Sequence, residues 1–415
     1  MSFAKFAQAV LLLVVGLALI IAARPAQAQT ETVLYAFCSA PGCTDGDYPD
    51  SRLTSDRAGN FYGTTGGGGA FGYGTVFELS PNGGGGWNES VLYSFTGGAD
   101  GAYPWRFSNV IFDGVGNLYG TTAYGGANGL GVAFELSPVG TSWKETILHG
   151  FVGGTGDGSY PSGDLVIDLA GNVYGTTVAG GSAGGGIVFE LSRSGGDWNE
   201  QVIYTSGLDN YGYNISGVGM AAGLTMDSVG NIYGANGDSV FELSPNGNGG
   251  WTPAVLHTFT GPVTQNALDS GAVGTPTLDQ AGNVYGTTIV GGPWGIVYKL
   301  SPEKKGKWKE KAIHAFNGEE RDGVSSAGTL LINADGDIYG VSFIIGGKDN
   351  VGDVFELIPQ AGTGKYEHQT LWSFGGPGDG WLPSGGLIQD SAGNLYGTTT
   401  GGGSNYGGIV FEMTP

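Results

Sequence analysis

From residue 31 onward the chain breaks into short apolar runs separated by polar or glycine-rich stretches, and the breaks recur at a fixed interval. The string Gly-Asn-x-Tyr-Gly appears seven times, with Asp337 replacing the Asn in the sixth. Its tyrosines are Tyr62, Tyr119, Tyr174, Tyr233, Tyr285, Tyr339 and Tyr396, spaced 52 to 59 residues apart. A second string follows each time around Phe77, Phe134, Phe189, Phe241, Tyr298, Phe355 and Phe411. A third is a short apolar run such as Val91-Leu92-Tyr93-Ser94-Phe95. No sustained 3.6-residue apolar period is present beyond the N-terminal segment, which argues against helices.

Each unit predicts four short strands. In the second unit these are Val110 to Asp113, Leu118 to Thr121, Val132 to Ser137 and Glu145 to Phe151. The Asp-x-x-Gly-Asn turn between the first two is expected to place Gly and Asn at positive φ. Four strands per unit, repeated seven times, predict an all-β, seven-bladed β-propeller. Thr32 to Phe37 matches a fourth strand, and the chain closes at Phe411-Glu412-Met413-Thr414-Pro415, directly after a third. The N-terminal strand is therefore expected to complete the last blade and remove an exposed edge. Val33, Leu34, Tyr35 and Phe37 would each contribute roughly 1.5–3 kcal/mol on burial.

Together, Gly-Asn-x-Tyr-Gly-Thr-Thr, the following Gly-Gly and Gly-x-Val-Phe-Glu-Leu resemble the bacterial GloVer (Gloeo/Verruco) tandem repeat over residues 31 to 415. The resemblance implies an exported or surface-displayed bacterial protein and brings no catalytic residues. Its members often carry a C-terminal sorting anchor. This chain shows none before Pro415, so simple secretion is the expectation.

Residues 1 to 28 read as a secretory signal: Lys5, an apolar run from Ala9 to Ala23, and Ala26-Gln27-Ala28 before the cut. Residues 29 to 415 are then one propeller domain. The formal charge is -21, and loss of Lys5 and Arg24 makes it -21 - 2 = -23. Such acidity argues against nucleic-acid partners, whose phosphates demand a basic surface, and against anionic membranes. No cofactor is called for, although the charge leaves room for Ca²⁺. The two cysteines, Cys38 and Cys43, are expected to form a local disulfide in an oxidising compartment. A monomer is expected.

In a repeat protein, a residue that obeys the repeat reads as structural and one that breaks it as functional. Glu78, Glu135, Glu190, Glu242, Glu356 and Glu412 obey it, with Lys299 the exception, and are expected to make cross-strand pairs. His149, His257 and His314 replace an aromatic at one repeat position, and are expected to stand apart, one per blade. His368 is assigned to a polar connection without an evident partner. Metal binding and a Ser-His-Asp triad are accordingly not expected. Gly67-x-Gly69-x-x-Gly72 matches a dinucleotide string but leads to a strand, not a helix, so its mechanism is missing. The lysines around Trp308, from Lys304 to Lys311, are placed on a hairpin of the opposite face.

The Asp-Gly-x-Tyr-Pro loops and the glycine-rich loops are expected to share one face. Proline should hold Tyr48, Tyr103 and Tyr160 extended. Aromatic residues on that face suggest stacking on sugars or protein contact. The expected contact residues are Trp105, Arg106, Tyr124, Tyr211, Trp294 and Trp381, with Asp100, Asp157 and Asp379 beside them. The leading function is non-catalytic binding of an extracellular glycan or protein. The alternatives are a carbohydrate-active hydrolase or lyase using those carboxylates, and a structural envelope or matrix protein.

Overall fold

A computed structural model describes residues 30–104, 108–207, 222–237, 239–259, 270–272, 274–290, 294–318, 322–324, 328–343 and 350–414. Seven antiparallel sheets form a ring; six keep their strands in sequence order, and the seventh takes the N-terminal strand as its outermost. The first blade comprises Thr54–Ser55, Phe61–Thr65, Thr75–Pro81 and Trp87–Ser94, from the inside outward. In the fifth and seventh blades the inner strand is split, into Ser270–Ala272 and Thr277–Leu278 and into Gly380–Pro383 and Ile388–Gln389. Among the described residues no helix is long and apolar enough to cross a membrane.

The repeat strings are seam chemistry. The glycine of each Tyr-Gly pair lies beneath the aromatic ring of the third strand. A Cβ on Gly120 would come within 2.5 Å of Phe134, and one on Gly175 within 2.4 Å of Phe189. These rings are fully buried. The following threonine reaches the next blade: Thr64 Oγ1 donates to Ser108 O (3.3 Å), and Thr176 Oγ1 to Ala222 O (3.0 Å). In the first turn the Asp does the holding. Asp113 Oδ1 accepts from Asn117 N at 2.9 Å, while Oδ2 accepts from the Asn117 amide at 2.8 Å and from the Tyr119 hydroxyl. Gly116 is at positive φ as expected, but Asn117 is not. The Asn is there for its amide. The sixth blade confirms this by exchanging the two groups, with Asn333 donating to Asp337 Oδ2 at 3.0 Å.

The ring closes as expected. Thr30–Ala36 pairs antiparallel with Ile409–Thr414, and Val33 stands opposite Phe411. Thr398 Oγ1 donates to Ser51 O at 2.9 Å across the same seam. Phe37 is wholly buried and packs with Phe77 and Val410. Val33 is 36% exposed, so the expectation that four side chains share the burial is corrected. An outermost strand has one neighbour and a solvent side, and its anchoring rests on the ladder and on Phe37.

Candidate functional site

The loops between second and third strands lie beside those that enter the next blade. Two bridges, Asp47 with Gly67 and Ala102 with Tyr124, also join such a loop to the one that enters its own blade. Contrary to the proline rule, Tyr48, Tyr103 and Tyr160 are left-handed, at φ 59°, 54° and 58°, as is Leu382 before Pro383. The neighbouring blade outweighs the local preference. Tyr103 N donates to Tyr73 O (2.8 Å), Tyr160 N to Leu130 O (2.9 Å) and Leu382 N to Val351 O (2.7 Å). The proline then sits on a glycine of that blade. A Cβ on Gly131 would meet Pro161 Cδ at 2.5 Å, and one on Gly352 would meet Pro383 Cδ at the same distance. Residues held this way against their preference mark places where geometry matters.

The result is an arc of tyrosine rings over the first three blades. Tyr73 and Tyr103 are 5.6 Å apart, Tyr103 and Tyr124 6.1 Å, and Tyr124 and Tyr160 5.4 Å. Tyr73 and Tyr124 are exposed. Blade seven adds Trp381 against the exposed Tyr406, at 5.8 Å. Trp294 is exposed and lies over Gly318. Of the expected contact residues, Tyr124, Trp294 and Trp381 therefore reach this loop face. Trp105, Arg106 and Tyr211 lie outside the described residues.

The three aspartates face elsewhere. Asp100 accepts from Thr96 N (2.8 Å) and the Tyr93 hydroxyl (3.1 Å). Asp157 accepts from Val152 N (2.7 Å) and lies 3.2 Å from His149 Nε2. Asp379 accepts from Gly380 N (2.7 Å) and Trp372 Nε1 (3.3 Å). Each latches its loop to the preceding outer strand. Each also meets the next outer strand, at a position filled by Glu31, Glu89, Glu145, Glu200 and Glu310, by Pro253, and by His368. Burial, then the nearby Asp45, pushes Glu89 up to about 8. Burial with Asp100 does the same to Glu145, and burial with Asp379 to Glu31, both to about 7. A carboxyl pair with a raised pKa is what acid–base catalysis needs. Its recurrence at seam after seam marks it as scaffolding.

The strand-three glutamates also serve the seams. Glu135 pairs with Arg193 at 2.6 Å, and Glu190 accepts from Trp251 Nε1 at 3.3 Å. Lys299 sits 5.1 Å from the centre of the Tyr285 ring. His149, His257 and His314 stand one per blade as expected, but His368 departs from expectation: its ring stacks on His314 at 4.6 Å, both beside Asp322. His368 lies in the outer strand Lys365–Ser373 and not in a connection. Successive outer strands run side by side, so residues 54 apart in sequence meet.

Sequence reasoning missed the inner ring. Two residues before the partner of each repeat tyrosine stand Arg52, Asn109, Asp164, Gly223, Thr275, Thr329 and Gly386. The diversity at one repeat position was the readable signal. Asp164, from blade three, accepts from Thr329 Oγ1 of blade six at 2.9 Å and lies 3.5 Å from Arg52 Nε of blade one. Its Oδ1 is buried and makes no well-formed hydrogen bond. Burial raises this carboxyl, while Arg52 and the hydroxyls of Thr329 and Thr275 oppose the shift. These residues end a cavity of about 810 Å³, walled by Val166, Met226, Leu278 and Leu331, which runs to the turns at Asp227 and Gln280. Cys38 and Cys43 are disulfide-bonded, as expected.

The family described as the Gloeobacter/Verrucomicrobia repeat matches residues 19–239 and 236–415. No curated protein matches the chain. Among solved structures, virginiamycin B lyase from Staphylococcus aureus is similar at 12% identity and TM-score 0.54, over 93% of this chain and 99% of that one. The extracellular domain of a hybrid two-component system from B. thetaiotaomicron aligns at 13% identity and TM-score 0.53, over 94% of this chain and 42% of that one. At such identities the likeness is one of fold.

Proposed function

The chain belongs to the Gloeobacter/Verrucomicrobia repeat family, and from that premise we propose that it is an exported, non-catalytic glycan-binding propeller. The arc Tyr73–Tyr103–Tyr124–Tyr160 carries this reading. Sugar rings present apolar C–H faces, and exposed aromatic rings held on rigid loops offer the complementary surface at low entropic cost. The arc crosses two seams, so it suits an extended chain better than a monosaccharide. The disulfide in the first loop supports an oxidising, extracytoplasmic location.

An array of cellulose-, xylan-, mannan- and chitin-derived oligosaccharides tests the reading, with wild type set against Tyr73→Ala/Tyr124→Ala. The reading expects saturable binding that falls at least about tenfold in the variant, as loss of stacking rings implies. Equal binding by the two proteins, or none by wild type, would count against it.

One observation favours a second site. Asp164 Oδ1, buried beside a cavity without a well-formed hydrogen bond, is an open acceptor for a small hydrogen-bond donor.

A further inference from the structure

Six of the seven outer strands carry Glu or Pro at the position facing the incoming loop, and the sixth blade alone carries histidine, His368. Asp322 Oδ1 lies 2.6 Å from His314 Nε2 and 3.6 Å from His368 Nε2. The ligand atoms of the three residues all lie within 4.8 Å of one another. His368 Nε2 is buried and makes no hydrogen bond.

We propose that His314, Asp322 and His368 form a binding site for a zinc-class divalent ion that pins blades five and six together. Two imidazole nitrogens and one carboxylate oxygen are a donor set for Zn²⁺ and its borderline neighbours, not for Ca²⁺ or Mg²⁺. Ligand bonds of about 2.0–2.2 Å in a tetrahedral arrangement put donors about 3.4 Å apart, and the two observed separations from Asp322 bracket that value. Asp322 is already oriented from outside the set, because its other oxygen accepts from Asn317 N at 2.8 Å. His314 packs edge-on against Phe316 at 4.8 Å, which fixes its ring within an apolar surround. The side chains keep 17%, 11% and 15% exposure, enough for an ion to enter and for water to fill the fourth position. The sibling seam at His149, Asp157 and Glu200 brings its ligand atoms equally close but offers one imidazole instead of two, because it keeps the repeat's glutamate, and it serves as the internal comparison.

The test uses tag-free, chelator-stripped protein titrated with ZnCl₂ by calorimetry, with Co²⁺ absorption as an independent readout of ligand type. The variants are His314→Tyr, which installs the residue found at Tyr35, Tyr93 and Tyr204, and His368→Gln. A melting curve in chelator shows that each is folded before titration. The expected result is one Zn²⁺ per chain in wild type, a cobalt spectrum of imidazole–carboxylate type, and at least a tenfold loss of affinity in each variant. His149→Tyr should leave the titration unchanged. Stoichiometric binding that survives His314→Tyr, or that is lost in His149→Tyr instead, would overturn the assignment. So would the absence of any stoichiometric site in wild type.

Discussion

The outer seams and the inner ring are built from the same repeat but fill it in opposite ways. Along the seams one trio returns: an aromatic or histidine, a loop aspartate, and a glutamate of the next blade. Around the channel one position holds Arg52, Asn109, Asp164, Gly223, Thr275, Thr329 and Gly386. The seams favour one solution, with only Pro253 and His368 standing where the other outer strands carry glutamate, because every seam poses the same problem of joining two outer strands. The channel poses no such problem, and there Arg52 and Asp164 meet across the ring. Recurrence marks scaffold and departure marks site, and His368 is a departure within the seams themselves.

Removing a whole seam element should have the largest effect. Deletion of residues 30–37 takes away the closing strand and Phe37, and leaves Ile409–Thr414 as a bare edge. Loss of a cooperative melting transition is expected. Phe37→Ala alone should cost about 3–5 kcal/mol, since the ring is fully buried. An unchanged denaturation midpoint for either variant would break the closure account.

A cut at the inner ring should cost less. Asp164→Ala leaves Arg52 unpaired, but its side chain is 31% exposed. A loss of about 1–3 kcal/mol is expected, below the cost of orphaning a fully buried charge. The Arg52→Ala/Asp164→Ala double variant should be more stable than the sum of the two single losses predicts. Strict additivity in that cycle would show that the pair is not coupled.

The seams also set a pH dependence. Glu31, Glu89 and Glu145 have folded values of about 7, about 8 and about 7, raised chiefly by burial. The folded state therefore holds more protons than the unfolded state above the ordinary glutamate range. Stability should fall as pH rises from about 5 through about 8. Asp45 and Asp157 are held below the usual carboxylate range by hydrogen bonds that outweigh their burial. They add stability that is lost as pH falls through their folded values. Urea titrations at several pH values should show the decline, and Glu89→Gln should flatten it. A stability that climbs toward pH 8 would contradict the seam assignment.

The smallest stability effect belongs to the loop face. Tyr73→Ala and Tyr124→Ala should each cost under about 1 kcal/mol, because both rings are exposed. A larger loss in thermal melts would mean that the arc holds loops together and is not a free surface.

Much of this was legible in the sequence. The strings Tyr-Gly-Thr and Val-Phe-Glu-Leu placed second and third strands, and the spare strand at Thr32 to Phe37 revealed the closure. What was not legible depends on the neighbouring blade. Tyr103 takes a left-handed φ because Tyr73 O waits in the previous blade, and no local rule contains that carbonyl. His314 and His368 meet only because outer strands of adjacent blades run together. Asp100, Asp157 and Asp379 looked like ligand-facing carboxylates because sequence gives position on a loop but not the direction a side chain takes. Asp164 was readable in principle, by comparing one inner position across seven units.

The most direct test of glycan binding on the loop face is hydrogen–deuterium exchange at saturating concentration of the best oligosaccharide from the array. Protection confined to residues 66–74, 97–104, 123–131 and 155–161 is the predicted result. Protection confined to the channel strands at 164–167 and 224–226, with the loops unchanged, would contradict it.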